Sequence, residues 1–293
     1  MAADNLGPAL ELAANLSTLF QRDPFIDRFD RAARAGFGAV EFWWPREELF
    51  EGLSLDQVVR RAKDVGLEVA LINFDAGDIQ RGERGIASDP KRVEQFLQHV
   101  PQAIELATSV GCHKLNLPVG KRERSVGTRS RQMTVLAGNI IEAARQAANA
   151  GISVLVEALN PVDAPGYLLC TVEDVLRLID DIGVQNVLCL LDVYHVASGG
   201  RNPIETIAVA GARIGHVQVA DVPGRHEPGT GGLRWAAIMS ELIATGYRGF
   251  VGLEYYPRDP SREDFGFIGE WIARCTAGER RPSGQQHGAA DAS

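Results

Sequence analysis

Seven times along the chain an amphipathic stretch closes on a glycine and gives way, within a few residues, to a short and nearly unbroken apolar run. The copies are AGFGAVEFWW at Gly36, VGLEVALINF at Gly66, VGCHKLNLPV at Gly111, AGISVLVEAL at Gly151, IGVQNVLCLLD at Gly183, AGARIGHVQV at Gly211 and TGYRGFVGLE at Gly246. Glycine enters the left-handed conformation of a helix end at least cost, so each copy predicts a helix stop followed by a strand. Runs this continuous fit a parallel sheet covered on both faces, not a sheet with one wet side. With the opening run LELAANLS the pattern predicts eight strands alternating with helices. Eight such units joined by right-handed crossovers make a (β/α)8 TIM barrel, a single domain over residues 1–275. A doubly wound open sheet is the alternative.

The stretches between the strands carry helix signals. Asp23 before Pro24 is expected to cap and open a helix over DPFIDRFDRAARA, with Phe25, Phe29, Ala32 and Ala33 on one stripe. Thr171 with Asp174 three residues on has the spacing of a capping box, with Asp in place of the usual Glu or Gln. Longer surface helices are expected near 90–110 and 129–150. From Thr276 the sequence TAGERRPSGQQHGAADAS is polar and rich in small residues, and is expected to form a disordered tail, 276–293, dispensable for folding.

Composition narrows the function. The 293 residues suffice for one large core, and 45% hydrophobic with 23% charged residues is ordinary for a globular domain. A net charge of −8 and a pI near 5.3 argue against nucleic acid or an anionic membrane surface as partner. No apolar run reaches transmembrane length, and MAADNLGPALELAANLS lacks the basic start and apolar stretch of a secretory signal. Cys112, Cys170, Cys189 and Cys275 show no CxxC pairing and read as reduced thiols of a cytoplasmic protein.

Against this background four strands finish on an unexpected residue type. VLVE ends at Glu157, CLLD at Asp192, HVQ at Gln218 and GLE at Glu254. An apolar strand that ends on a carboxylate or amide faces a desolvation cost, which a shared cation would offset at all four positions. Single acidic residues at strand ends are usually helix caps or solvated rim groups, but four on consecutive strands are not explained that way. In a TIM barrel the C-terminal strand ends form the catalytic mouth, so the four would converge on one point. Three carboxylates and an amide oxygen are hard ligands, suited to Mg, Mn or Ca, with Co or Zn possible.

These residues, together with AANLS at 13–17, GFGAVEFWWP at 36–45, NFDAGDIQRGERG at 73–85, VLVEALNP at 154–161, LDVYH at 191–195, GHVQVADVPGRHEPGTG at 215–231 and GLEYYP at 252–257, carry a resemblance. The chain resembles the xylose-isomerase-like barrel superfamily and, within it, the hydroxypyruvate isomerase family, over nearly its whole length. The resemblance implies that Glu157 and Glu254 are catalytic acid/base residues that also bind a divalent metal, completed by Asp192 and Gln218. Related ketose epimerases usually carry histidine where Gln218 stands, which favours the isomerase branch. The resemblance also implies a small keto acid or sugar acid substrate, an enediolate intermediate and a possible homo-oligomer.

Supporting candidates follow from position. His195, three residues beyond Asp192, could bond a substrate oxygen beside the metal or simply pack at the rim. His216 shares a strand face with Gln218 and is either an inner-mouth residue or a partner behind the ligands. Arg225, with His226, is placed in the loop after strand seven to meet an anion, and its guanidinium fork suits a carboxylate. Asn73 and Asp78 follow strand three and could touch substrate or form turns. Trp43 and Trp44 must point apart, so only one can wall the mouth. Lys121, Arg122, Arg124 and Arg129 read as a solvated charge run more readily than as a basic lid. HEPGTGG lacks dinucleotide-site spacing, and no nucleophile elbow supports a Ser/His/Asp triad.

The expected activity is interconversion of hydroxypyruvate and tartronate semialdehyde. The same chemistry on a 2-oxo-tetronate-type acid or a ketose is the alternative. Metal-dependent phosphoester hydrolysis and a non-catalytic sugar-acid-binding barrel are more distant ones.

Overall fold

The glycine-terminated helices and apolar runs resolve, in a computed structural model that describes residues 10–261 and 265–277, into eight parallel strands closed on themselves. The strands are β1 (Glu11–Asn15), β2 (Ala39–Phe42), β3 (Glu68–Asn73), β4 (Lys114–Leu117), β5 (Ser153–Glu157), β6 (Val187–Asp192), β7 (Ile214–Val219) and β8 (Phe250–Leu253). The helices are α1 (Phe25–Arg34), α2 (Arg46–Phe50), α3 (Leu55–Val65), α4 (Val93–Ser109), α5 (Arg129–Ala148), α6 (Val172–Ile182), α7 (Val193–Ser198), α8 (Pro203–Ala210), α9 (Trp235–Ala244) and α10 (Phe267–Ala277). The closing pair is β1 with β8, in parallel register from Glu11 opposite Phe250 to Ala14 opposite Leu253, which excludes the open sheet.

Each of the eight expected strands falls on its apolar run. Gly66 and Gly183 end their helices in the left-handed conformation, at φ 70° and 65°. Two helix starts differ from expectation. Pro24, not Asp23, is the residue before α1, with no side-chain cap; Asp23 instead pairs with Arg31, 3.3 Å away. Phe25, Phe29 and Ala32 are buried as the stripe predicts, while Ala33 is only half-buried. Thr171 Oγ1 accepts from the Asp174 amide, but it also donates to the Asp174 carboxylate at 2.9 Å. The aspartate spends its reach on the hydroxyl, so the box is not reciprocal; the reciprocal box lies at Ser54 and Gln57, opening α3.

Most of the apolar core lies between the strands and the surrounding helices. The barrel interior is filled by layers, as in this fold generally. Ala13, Ala39 and Ala70 pack with Phe250, and Leu71, Leu155 and Leu190 pack with Leu188. Toward the C-terminal strand ends the interior turns polar, with Asn15, Glu41, Asn116, Glu157, Asp192, His216, Gln218 and Glu254 all buried. No helix among the described residues is long and apolar enough to cross a membrane. Helix α10 runs two residues past Cys275; the rest of the expected tail, 278–293, lies outside the described residues.

Candidate active site

The four strand-end residues arrive where the barrel register carries them. Glu157 and Asp192 are the last residues of β5 and β6. Gln218 is one short of the end of β7, and Glu254 follows the last residue of β8, because Val219 still pairs with Leu253. Asp192, Gln218 and Gly252 are register partners in one row across β6, β7 and β8.

Each ligand-type group is held by a second residue. Asn116 on β4 donates to Glu157 Oε2 at 3.0 Å, and Asn15 on β1 donates to Glu254 Oε2 at 3.1 Å. Asp192 accepts from the Tyr194 amide at 2.8 Å through Oδ1, so it does cap α7, while Oδ2 faces the mouth and meets Arg225 there. Helix α7 turns His195 back over that group, with Nε2 3.6 Å from Asp192 Oδ2, while Asn160 Nδ2 meets Nδ1 at 2.8 Å. One ligand atom each from Glu157, Asp192 and His195 lie within 4.8 Å of one another.

Burial dominates the electrostatics. Removal from water pushes Glu157 up to about 8, with the Asp192 charge adding to the rise. Burial also raises Glu254 well above the carboxylate range and raises Asp192, against the pull of Arg225 on both. His195 is driven well below its usual value by burial and by the charges of Arg225 and Arg84, and is therefore neutral. A neutral imidazole beside carboxylates is a ligand-competent state.

The donor set can be tested for a divalent cation on two further atoms. Gln218 Oε1 and Asn116 Oδ1 are buried acceptors with no hydrogen-bond partner among the described residues, although the Nε2 and Nδ2 of the same amides are both bonded. Buried acceptors left open beside clustered carboxylates are what a hard cation would satisfy. The residues fit such an ion.

Arg225 enters the cluster from the loop after β7. Its Nη2 reaches Glu254 Oε1 at 2.5 Å and Asp192 Oδ2 at 3.2 Å, and its guanidinium lies over the Tyr194 ring at 4.9 Å. Burial opposes its charge, but Glu254 and Asp192 outweigh that and hold it protonated. The loop is fixed by the Asp221 carboxylate, which accepts from the amides of Val222, Gly229 and Leu233 and from Trp235 Nε1. Arg225 itself has φ +57°.

The other expected residues distribute differently. His216 does not open on the mouth. It is fully buried, 2.6 Å from Glu41 Oε2, behind Gln218. Asn73 ends β3 as register partner of Asn116 and is half-buried. Asp78 builds a turn by accepting from the Arg81 amide. Trp44 packs edge-on against His99, 4.4 Å between ring centres. His226 bonds the Tyr256 carbonyl. Of the basic run, Lys121 pairs through its backbone with Tyr167 in an isolated antiparallel bridge and Arg129 donates to the Leu168 carbonyl, whereas the Arg124 side chain lies outside those described. Asn15, Glu41, Asn116, Asn160 and Tyr194 were not expected. For Asn15 and Glu41 the signal was present: each lies two residues beyond an alanine of the barrel interior, Ala13 and Ala39, on the same strand face.

The chain as a whole is similar to known proteins. The family model described as Xylose isomerase-like TIM barrel matches residues 29–273. The hydroxypyruvate isomerase of Escherichia coli is 37% identical over 249 residues, spanning 85% of this chain and 94% of the relative. The 2-oxo-tetronate isomerase of Pectobacterium atrosepticum is 32% identical over 264 residues, spanning 90% and 98%. A crystal structure described as an AP endonuclease, family 2, from Brucella melitensis superposes with a TM-score of 0.83 at 35% identity, covering 89% of this chain and 98% of its own.

Proposed function

Because the chain belongs to the xylose isomerase-like TIM barrel family and is an isomerase, we propose that it interconverts hydroxypyruvate and tartronate semialdehyde (2-hydroxy-3-oxopropanoate) by moving a proton between adjacent carbons through an enediolate. The observation that carries this reading is the pair Glu157 and Glu254: two buried carboxyl groups, at the end of β5 and just past β8, which burial raises, Glu157 to about 8 and Glu254 well above the ordinary carboxylate range. A carboxyl tuned in this way can take a proton from carbon near pH 7 and return it, which an ordinary carboxylate does poorly.

One of the two glutamates removes the proton from the hydroxyl-bearing carbon, the same or the other carboxyl delivers a proton to the neighbouring carbon, and the hydroxyl proton passes from the first carbon's oxygen to the second's, so that carbonyl and alcohol exchange places. Asn116 and Asn15 fix the orientation of these carboxyls. Glu157, Asp192, Gln218 and Glu254, with His195 adjoining, would hold a divalent cation, Mg or Mn by their oxygen character, with Co or Zn possible; bound there, such an ion stabilises negative charge developing on the substrate oxygens. Arg225 would meet the substrate carboxylate, and its stacking on Tyr194 limits the directions it can take.

The test is a coupled assay of the purified, Mn-loaded protein on hydroxypyruvate and on four-carbon 2-oxo-tetronates. Turnover of hydroxypyruvate is expected, and replacing either Glu157 or Glu254 with Gln should lower kcat by ~10²–10⁴, the usual contribution of a general base. A preference for the four-carbon acid would move the assignment to the activity named for the Pectobacterium relative, with the same residues and chemistry. Turnover of neither would overturn the substrate class. The description of the Brucella structure raises phosphoester hydrolysis as a second reading; a net charge of −8 opposes DNA binding, and cleavage of abasic-site DNA would be its signature.

A further inference from the structure

Behind the four strand-end residues lies a carboxylate that none of the chemistry above uses. Glu41, on β2, is fully buried. Its Oε1 accepts from Asn15 Nδ2 at 2.8 Å and from Gln218 Nε2 at 2.7 Å, while His216 Nε2 meets its Oε2 at 2.6 Å. Strands β2 and β7 are not neighbours; the side chain reaches Gln218 by crossing the interior over β8, where Gly252 leaves the room. A Cβ at Gly252 would overlap both Glu41 oxygens. The crossing is therefore built into the barrel and is not a rotamer accident.

An isolated amide can present either its oxygen or its nitrogen to a site, and only one of the two is a metal ligand. Glu41 settles the choice. A carboxylate accepts and does not donate, so it takes the NH2 of Gln218 and turns Oε1, the buried acceptor without a partner, away from itself. Through Asn15, which bridges Glu41 Oε1 and Glu254 Oε2, the same carboxylate also fixes one oxygen of the glutamate just past β8. Among the described residues His216 Nδ1 has no hydrogen-bond partner, and Nε2 is the ring atom that meets Glu41.

We propose that Glu41 is a positioning residue that sets the amide of Gln218 with its oxygen toward the divalent cation site. The inference rests on the proposed reading of that site as metal-binding. The measurement is Mn2+ affinity of the full-length protein by calorimetry. Glu41→Met, of similar size but without an acceptor, should weaken Mn2+ binding about 10–100-fold, the usual cost of losing a group that orients a ligand. Glu41→Gln keeps one acceptor oxygen for Gln218 and Asn15, and should hold affinity within about threefold of wild type.

The decisive comparison is in the Gln218→Ala background. If Glu41 acts mainly through Gln218, Glu41→Met costs at most about threefold there. Equal losses in the two backgrounds, or no loss in the wild-type background, overturn the proposal. Should Glu41→Met not fold, Mg2+ titration of the 15N-labelled wild type decides: the Gln218 side-chain NH2 pair should be protected from solvent exchange and should shift on loading, and a freely exchanging or unmoved pair overturns the proposal. A wild-type protein that binds no divalent cation refutes the metal reading itself, separately from the role of Glu41.

Discussion

At the residue scale, desolvation and not charge count decides the chemistry. Glu157, Asp192 and Glu254 are raised chiefly by burial, so the mouth carries fewer negative charges than its composition suggests. This gives the metal-free protein a characteristic pH response. Between pH 6.5 and about 8 the folded Glu157 keeps a proton that the unfolded chain has released, so folding stability falls as pH rises through that window. His195 acts with the opposite sign, but only below its ordinary value of 6.5, where the unfolded chain is the more protonated. In the presence of a chelator the urea midpoint should drop from pH 6.5 to 8, and Glu157→Gln should flatten that slope; a rising midpoint would sink the assignment. Arg225 supplies a second residue-scale prediction. Arg225→Lys keeps the charge but loses the planar guanidinium, whose Nη2 alone meets both Asp192 and Glu254, and should raise KM for keto acids about tenfold or more in steady-state assays, since one charge-assisted hydrogen bond is worth ~1.5–3 kcal/mol. An unchanged KM would remove Arg225 from carboxylate binding.

At the element scale, the site depends on which face of each strand turns inward. Successive strand residues alternate faces, so Glu41 and Gly252 point into the same interior from β2 and β8, and one is large because the other is absent. Gly252→Ala should destabilise the protein by about 1–3 kcal/mol, the usual cost of overpacking, and weaken Mn2+ binding with it, read by denaturant titration and calorimetry. A Gly252→Ala protein with both properties intact would show that Glu41 has another resting place. The loop that carries Arg225 is an element in its own right, organised on one carboxylate. Asp221→Ala would strand three backbone amides and the Trp235 indole N–H, and should cost about 3 kcal/mol in the urea midpoint, since each orphaned buried donor costs ~1–3 kcal/mol and water reaches some of them. Capping was less legible at this scale. Thr171 and Asp174 have box spacing, yet whether an acid reaches back to the cap amide depends on one methylene and a rotamer.

At the scale of the whole molecule, closure of the barrel turns distant segments into one site: Asn15 and Glu254, 239 residues apart, share a hydrogen bond. If a divalent cation is the common partner of β5 to β8, its removal should be felt globally. Exhaustive chelation should abolish isomerase turnover and lower Tm, with both restored by Mn2+; at 100 times Kd the ion is worth about 2.7 kcal/mol of stability. A Tm indifferent to Mn2+ would argue against the shared ligand role. The fold was legible because it rests on local, repeated signals: glycine at the helix stop, an unbroken apolar run after it, and eight repeats. So were Glu157, Asp192, Gln218 and Glu254, since a polar group at the end of a buried strand is anomalous in one dimension. Closure, by contrast, is a long-range event, because the β1–β8 pairing joins the two ends of the chain and no local pattern specifies it apart from the strand count. The seating of His216 behind Gln218, the joining of Arg225 to Asp192 and Glu254, and the reach of Glu41 across Gly252 were decided by tertiary structure alone. Sequence periodicity states which face a side chain takes, but only the closed interior determines which groups meet there and how much water remains between them.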